Sequence, residues 1–317
     1  MRSKFVAALI LTATALPFAA GAQEKPYKIT YIQGVTGNPF YMSVACGGAE
    51  AAKRLGVTFE AQGPQQYTPA LQMRVLNAVI AAQPDGIMFT ADDPVALTAT
   101  LIEAKARGIK ILSIDGDVKD MSVAVANIQS DNFEGGGQAG KQLAELVGDK
   151  GEVMALMNSP AANVAQQRLQ GFQDEIAKHP NITFLGVQYS NNQTAKAASI
   201  ITSTVAAHPD LAGVFTITTN NTEGAATGVR EAQREGKIKI VGFDTSDPIV
   251  EAIRKGIVSA DIVQYPYHVG QLGVEMMINA LQGNAVERQV HTPFVVATPQ
   301  NIDTPEVQKF IYRTNCR

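Results

Sequence analysis

What most narrows the fold of this chain is that its two halves repeat one pattern. Ala81-Ala82-Gln83-Pro84-Asp85 leads into Gly86-Ile87-Met88-Phe89-Thr90, and Ala206-Ala207-His208-Pro209-Asp210 leads into Gly213-Val214-Phe215-Thr216. Further on, Gly108-Ile109-Lys110-Ile111-Leu112-Ser113-Ile114-Asp115 is matched by Gly236-Lys237-Ile238-Lys239-Ile240-Val241-Gly242-Phe243-Asp244, each an apolar run closed by an aspartate. Helix, Pro-Asp turn and apolar strand recur in any α/β unit by chemistry alone. Two echoes in the same order and at about the same offset point instead to an internal repeat, and so to two similar lobes.

The wider pattern agrees. Short β-branched runs alternate with longer stretches of helical period, which is how parallel sheets covered by helices are written. Strands are predicted at Lys28 to Gln33, Val57 to Ala61, Gly86 to Thr90, Lys110 to Ile114 and Val123 to Ile128, and again at Glu152 to Met157, Thr183 to Tyr189, Gly213 to Thr216, Ile238 to Phe243 and Val258 to Val263. The expected fold class is therefore α/β, with two similar doubly wound parallel-sheet lobes and a cleft between them. A chain of 317 residues, 45% apolar and 17% charged, has the length and the core for this.

The first 22 residues read as an address. Arg2 and Lys4 precede the apolar run Phe5 to Leu16, and Ala20-Gly21-Ala22 offers the small-x-small pattern of a signal-peptidase site. About a dozen apolar residues are too few for the roughly 20 that cross a bilayer, so cleavage after Ala22 and export to the periplasm are expected. A lipid anchor would need Cys where Gln23 stands. The two cysteines, Cys46 and Cys316, would then reach an oxidising compartment, where a pair commonly bridges. The alternative is one buried and one frayed thiol. Two cysteines hold neither a zinc cluster nor a dense disulfide framework. A formal charge of −3 supplies no basic field for nucleic acid.

Ligands of open parallel sheets bind beyond the carboxyl ends of the strands, so the strand-end loops hold the candidate site. Asn38-Pro39-Phe40-Tyr41 puts an amide beside flat apolar rings at a helix start; Asn38 as N-cap and Pro39 in the first turn are the plainer reading. A sugar, with apolar C–H faces and a hydroxyl rim, suits that combination. Asp115 and Asp244 end apolar strands, where a charged acceptor makes the stronger hydroxyl bond. Thr245-Ser246-Asp247-Pro248 already supplies a cap after Asp244, leaving that carboxylate free. Gln264 closes a strand, and Asn220, Asn221 and Thr222 follow one. Arg168, by composition alone, reads as a solvated helix residue.

Other motifs carry less. Gly135-Gly136-Gly137-Gln138-Ala139-Gly140 has the dinucleotide-fingerprint form, but the following strand ends at Met157-Asn158-Ser159 with no acidic ribose ligand, and the small residues read as close helix packing. His179 and His208 precede prolines at helix ends. No nucleophile, base and orienter trio presents itself. Asp92-Asp93 and Asp115-x-Asp117 lack calcium-loop spacing.

Taken together these residues resemble the type I, ribose-binding-like periplasmic solute-binding proteins of sugar ABC importers. The carriers are Asn38-Pro39-Phe40-Tyr41, Ser130-Asp131-Asn132 with Gly136 and Ala139-Gly140, Arg168 before Gly171-Phe172, Val241-Gly242-Phe243-Asp244, and Gln264 before Pro266 and Gly270. The resemblance implies that Asn38, Phe40, Tyr41, Asp115, Arg168, Asn221, Asp244 and Gln264 line a sugar site, with Thr90, Asp92 and Asn192 as further contacts. It implies hinge closure on a small sugar or polyol, recognition of the closed form by a membrane permease, a monomeric chain, no cofactor and no metal. It also implies discontinuous lobes: residues 23–129 plus 265–291 in lobe one, 130–264 plus 292–302 in lobe two, and a C-terminal extension over 303–317, with a helix at Thr304 to Tyr312. Crossings fall near residues 128–131, 264–266 and 290–293, and the helix Gly270 to Leu281 returns to lobe one.

Two departures qualify the resemblance. Ribose-type members place Arg directly after the lobe-one Asp, where this chain has Gly116, and many carry an aromatic where it reads Ser190-Asn191-Asn192-Gln193. Ribose is therefore not the expected ligand. Three other functions compete with this one. A repressor of the same fold would need an N-terminal helix-turn-helix where the export signal stands. An exported α/β enzyme lacks a triad and a cofactor loop. A binder serving a chemoreceptor or an autoinducer-like signal shares the whole pattern.

Overall fold

The computed structural model describes residues 26–116, 118–160 and 163–316. The export signal expected over residues 1–22, and Asp117, lie outside the described residues. The first half of the chain runs β1 (Lys28–Ile32), α1 (Pro39–Leu55), β2 (Thr58–Gln62), α2 (Pro69–Ala81), β3 (Gly86–Phe89), α3 (Thr98–Ala106), β4 (Lys110–Ile114) and β5 (Ala126–Ser130). The second half runs α4 (Asn132–Val147), β6 (Gly151–Met157), α5 (Asn163–Ile176), β7 (Ile182–Tyr189), α6 (Thr194–Ala207), β8 (Leu211–Thr216), α7 (Thr219–Glu231), β9 (Lys239–Phe243), α8 (Asp247–Arg254) and β10 (Ala260–Val263). It closes with α9 (Pro266–Leu281), β11 (Gln289–Thr292), β12 (Val295–Ala297) and α10 (Pro305–Gln308).

Two six-stranded sheets form, ordered β11-β5-β4-β3-β1-β2 and β12-β10-β9-β8-β6-β7. Without their last-added strands both share one order, second, first, third, fourth, fifth, so the repeat in the letters is a repeat in topology. β11 runs parallel beside β5, and β12 antiparallel beside β10. That difference follows from the path: the chain leaves the first sheet at its carboxyl edge and enters the second sheet from the same side, so it must run against its neighbours. Strand interiors are apolar on both faces, as in Gly86–Phe89, all buried, because helices cover both sides.

All ten expected strands are present. β5 begins at Ala126, later than expected, because the Ser122 amide donates to Asp120 Oδ1 and holds a turn just before it. β11 and β12 were not anticipated; they are short, and half-exposed along most of their length. The returning helix starts earlier, at Pro266, which occupies its first turn. The helix expected over Thr304 to Tyr312 is only Pro305–Gln308. Beyond it the chain is drawn toward α1, where Cys316 is bonded to Cys46 with the Cα atoms 4.8 Å apart.

Small residues set the helix pairs that flank the cleft. A Cβ on Gly136 of α4 would lie 1.9 Å from the Arg168 carbonyl oxygen of α5. A Cβ on Gly270 of α9 would lie 1.9 Å from the Val44 carbonyl oxygen of α1. Both pairs pack backbone to backbone, and the glycine-rich run at Gly135 to Gly140 is a packing surface rather than a phosphate loop. Gly136→Ala must therefore push α5, which carries Arg168, away from α4. Overpacking of this kind costs about 1 to 3 kcal/mol, and the expected result is a melting temperature lowered by several degrees in thermal denaturation. An unchanged melting temperature would contradict this packing.

Candidate functional site

The site is built from two turns that the repeat makes equivalent. Asp115 follows β4 and Asp244 follows β9, with φ of 53° and 71°. Aspartate tolerates this left-handed region better than most residues. Each amide is tied to the adjacent strand: Asp115 donates to the Ile128 carbonyl at 2.9 Å and Asp244 to the Ile262 carbonyl at 3.0 Å. The turn thus throws each carboxylate beyond the carboxyl edge of its sheet. Ser246 caps α8 by accepting from the Ile249 amide, so Asp244 is not needed as a cap.

Between them stands Arg168, 3% exposed and far from the solvated helix residue that composition alone suggests. Its Nε donates to Asn132 Oδ1 at 2.9 Å and its Nη1 to the Ile217 carbonyl at 2.9 Å. The guanidinium carbon lies 3.7 Å over the Phe243 ring, and Nη1 lies 3.6 Å from Asp244 Oδ2. A guanidinium held on so many sides is pre-organised, which suits recognition of hydroxyl or carboxyl oxygens. Gln264 Nε2 donates to Asp244 Oδ1 at 2.7 Å.

The first lobe contributes acceptors without donors. Asp92 Oδ1 and Oδ2 and Asp115 Oδ1 are buried and have no hydrogen-bond partner among the described residues. Burial pushes the Asp92 carboxyl up to about 8. Burial also raises Asp115, to about 7, with Arg168 pulling it down and Asp244 pushing it further up. The two lobes' aspartates therefore sense each other across the cleft. The second lobe hides one more such group, Asp261 of β10, whose oxygens are unpaired and whose carboxyl burial raises well above the usual range. A Cβ on Gly242 would lie 2.1 Å from Asp261 Oδ1, which accounts for glycine in Val241-Gly242-Phe243-Asp244.

A cavity of about 90 Å³ lies between the lobes. Of the residues expected at the site, Asn38, Phe40, Tyr41, Thr90, Asp92, Asp115, Arg168, Asn192 and Asp244 line it. Asn38 also caps α1, accepting from the Phe40 amide at 2.9 Å, so both readings of that residue hold in one geometry. Phe40 and Tyr41 meet edge to face at 5.5 Å.

Two expected residues stand elsewhere. Asn221 is fully buried, donating to Ser190 Oγ and accepting from Thr218 Oγ1, and its neighbour Asn220 lines the cavity instead. Gln264 sits behind Asp244 as its donor and is not part of the lining. Sequence reasoning missed Tyr67, Asn158, Asn163 and Thr219, all of which line the cavity. Asn158 and Thr219 follow strands, so the strand-end rule alone marks them. Tyr67 lies in the loop between β2 and α2, and no local signal marks it.

Residues 29–285 match the family described as the periplasmic binding protein domain, and the chain belongs to that family. The ribose import binding protein RbsB of Salmonella typhimurium is 28% identical over 284 residues, covering 89% of this chain and 93% of that one. The D-apiose import binding protein of Actinobacillus succinogenes is 29% identical over 219 residues, covering 69% of this chain and 70% of that one. Among solved structures, an ABC transporter solute binding protein from Agrobacterium vitis bound with alpha-D-tagatopyranose superposes with a TM-score of 0.88 at 35% identity, covering 90% of this chain and 99% of that one. A second Agrobacterium vitis solute binding protein, with bound D-fucose, gives 0.86 at 28% identity, covering 90% of this chain and 100% of that one.

The raised carboxyls make a pH prediction. An unfolded Asp ionises near pH ~3.9, whereas folded Asp92 keeps its proton up to about 8. Between those limits the folded state binds more protons, so the stability this group contributes is full below pH ~4 and is lost as pH rises. In the ligand-free protein, Asp92→Asn should gain stability relative to the parent from about pH 4 to 8 and no further above it. Thermal melts across that range check this; a difference that does not change with pH would refute the assignment.

Proposed function

We propose that the protein is an exported binding protein for a small neutral sugar or polyol, delivering it to the membrane permease of an ABC importer. The observation that carries this reading is the set of three buried carboxyl oxygens on Asp92 and Asp115 with no partner among the described residues, facing a cavity also lined by the Phe40, Tyr41 and Tyr67 rings. A buried acceptor without a donor costs about 1 to 3 kcal/mol. A ligand with several hydroxyl groups on a ring with apolar faces relieves that cost and covers the aromatics. With Asp92 and Asp115 held largely protonated by burial and Asp244 paired with Arg168, the cavity suits a neutral ligand.

Family membership and the sugars in the related structures support the same reading. They favour a binding protein over an enzyme. The export signal expected over residues 1–22 and the family's import binding proteins support a periplasmic location. The lobe division proposed is residues 23–129 plus 265–291, residues 130–264 plus 292–302, and the extension 303–317. It is supported by sheet membership, since β1 to β5 with β11 form the first sheet and β6 to β10 with β12 form the second. Hinge closure brings Arg168 and Asp244 of one lobe onto a sugar already held by Asp92 and Asp115 of the other. Asn221 and Gln264 take supporting roles in this proposal.

Ribose is not the ligand favoured. Gly116, with φ of 147°, brings no side chain to the cavity, and Asn192 lines it with an amide rather than a ring. A pocket built with extra amides rejects sugars that leave those amides unpaired. In a thermal-shift panel of pentoses, hexoses, furanoses and alditols that includes D-tagatose, a compound other than ribose should give the largest rise. Asp115→Ala should weaken that compound about ten- to a hundred-fold, and the same compound should shrink the scattering radius of the parent. A panel in which ribose does best, or an Asp115→Ala protein that binds as tightly as the parent, would overturn this reading.

A further inference from the structure

We propose that the C-terminal strap, residues 309–316, belongs to the ligand site, and that Tyr312 is the positioning residue that sets the Asp244 carboxylate for a bound sugar. The inference rests on the reading of the cleft as a sugar site, and deepens it.

The strap starts in the second lobe, where Ile302 and Val307 are buried and Arg254 pairs with Asp303 at 2.7 Å. It passes the β10 to α9 crossing, where the Phe310 ring lies 4.6 Å from that of Tyr265. It ends on the first lobe: the Arg313 amide donates to Ser43 Oγ at 3.2 Å, the Arg313 guanidinium lies 4.1 Å over Tyr267, and Cys316 is bonded to Cys46 of α1. The strap is therefore a fourth passage between the lobes, beside the three chain crossings, and the disulfide fastens its far end.

Tyr312 sits at the middle of that passage, buried. Its ring lies 5.9 Å from Phe40 of the first lobe, and its hydroxyl donates to Asp244 Oδ1 of the second. The same oxygen accepts from Gln264, so Oδ1 is saturated and Oδ2, beside Arg168, is the oxygen left for a ligand. Asp115, its equivalent by the repeat, has an Oδ1 with no partner among the described residues. Two aspartates that the repeat makes alike are thus set for different tasks: Asp115 can follow a hydroxyl, whereas Asp244 is locked. Burial and the Asp244 charge push the Tyr312 hydroxyl well above the usual tyrosine range, so it stays a donor at working pH.

The test uses the full mature chain, the Tyr312→Phe variant, the Cys46→Ser/Cys316→Ser variant and their combination. Affinities for D-tagatose, D-ribose, D-arabinose and D-fucose are measured by calorimetry, with melting temperatures of the ligand-free proteins. For any of these sugars that the parent binds, Tyr312→Phe should lose about ten-fold or more, since it removes a hydrogen bond to a charged group while keeping the ring. The double-serine variant should lose a similar factor, and the combined variant no more than the larger of the two, because the bond acts through Tyr312. A Tyr312→Phe protein that binds as the parent does, or fully additive losses, would overturn the proposal. A merely structural role would lower the melting temperature without a selective loss of affinity. Amide exchange over residues 243–247 of the ligand-free proteins reads the clamp directly: it should quicken in both variants, and unchanged exchange counts against the strap. A parent that binds none of the four sugars while exchange quickens would count against the sugar reading alone.

Discussion

A carboxylate taken out of water has to find hydrogen-bond donors, and the cleft of this protein holds carboxylates whose donors do not come from the chain. Asp244 is the exception: Tyr312 and Gln264 donate to one oxygen and Arg168 faces the other. Among the described residues, three of the four oxygens of Asp92 and Asp115 have no partner, and burial raises both carboxyls. Each such oxygen is desolvated without a donor and so lowers stability. They make sense as groups that a hydroxyl-rich molecule completes. The cavity between the two lobes gathers those oxygens with Arg168 and Asp244.

The repeat gives each lobe the same turn, with an aspartate in the left-handed region just past its fourth strand. What differs is what surrounds the turn. In the second lobe, α5 supplies Arg168, stacked on Phe243 and tied to Asn132 and the Ile217 carbonyl, and the tail of the chain supplies Tyr312. The first lobe supplies the aromatic wall of Phe40, Tyr41 and Tyr67 and leaves its acids open. The two halves share one frame, and their loops surround the equivalent aspartates with different partners.

Much of this is legible in the letters, for identifiable reasons. Apolar runs closed by aspartate can only be buried strands delivering a carboxylate to a sheet edge, so Asp115 and Asp244 follow from pattern and the strand-end rule. Arg168 does not follow from composition; only the resemblance placed it in the cleft. Asn220 and Asn221 show the limit of that carry-over. They are adjacent near the start of a helix, where successive side chains point about 100° apart, so a shift of one residue exchanges a cavity-facing amide for a core one. Tyr67 and Tyr312 reach the cleft region through loops whose course no periodicity encodes. β11 and β12 are too short, and too mixed in polarity, to stand out as strands.

The most direct test of the account is a crystal structure with the sugar that stabilises the protein best. The account predicts one sugar between the lobes, with its hydroxyl groups about 2.5–3.0 Å from the Asp92 oxygens and Asp115 Oδ1, Arg168 against its far side, and Tyr312 still bonded to Asp244. A sugar bound elsewhere, or bound in the cleft with those three oxygens still unpaired, would contradict it.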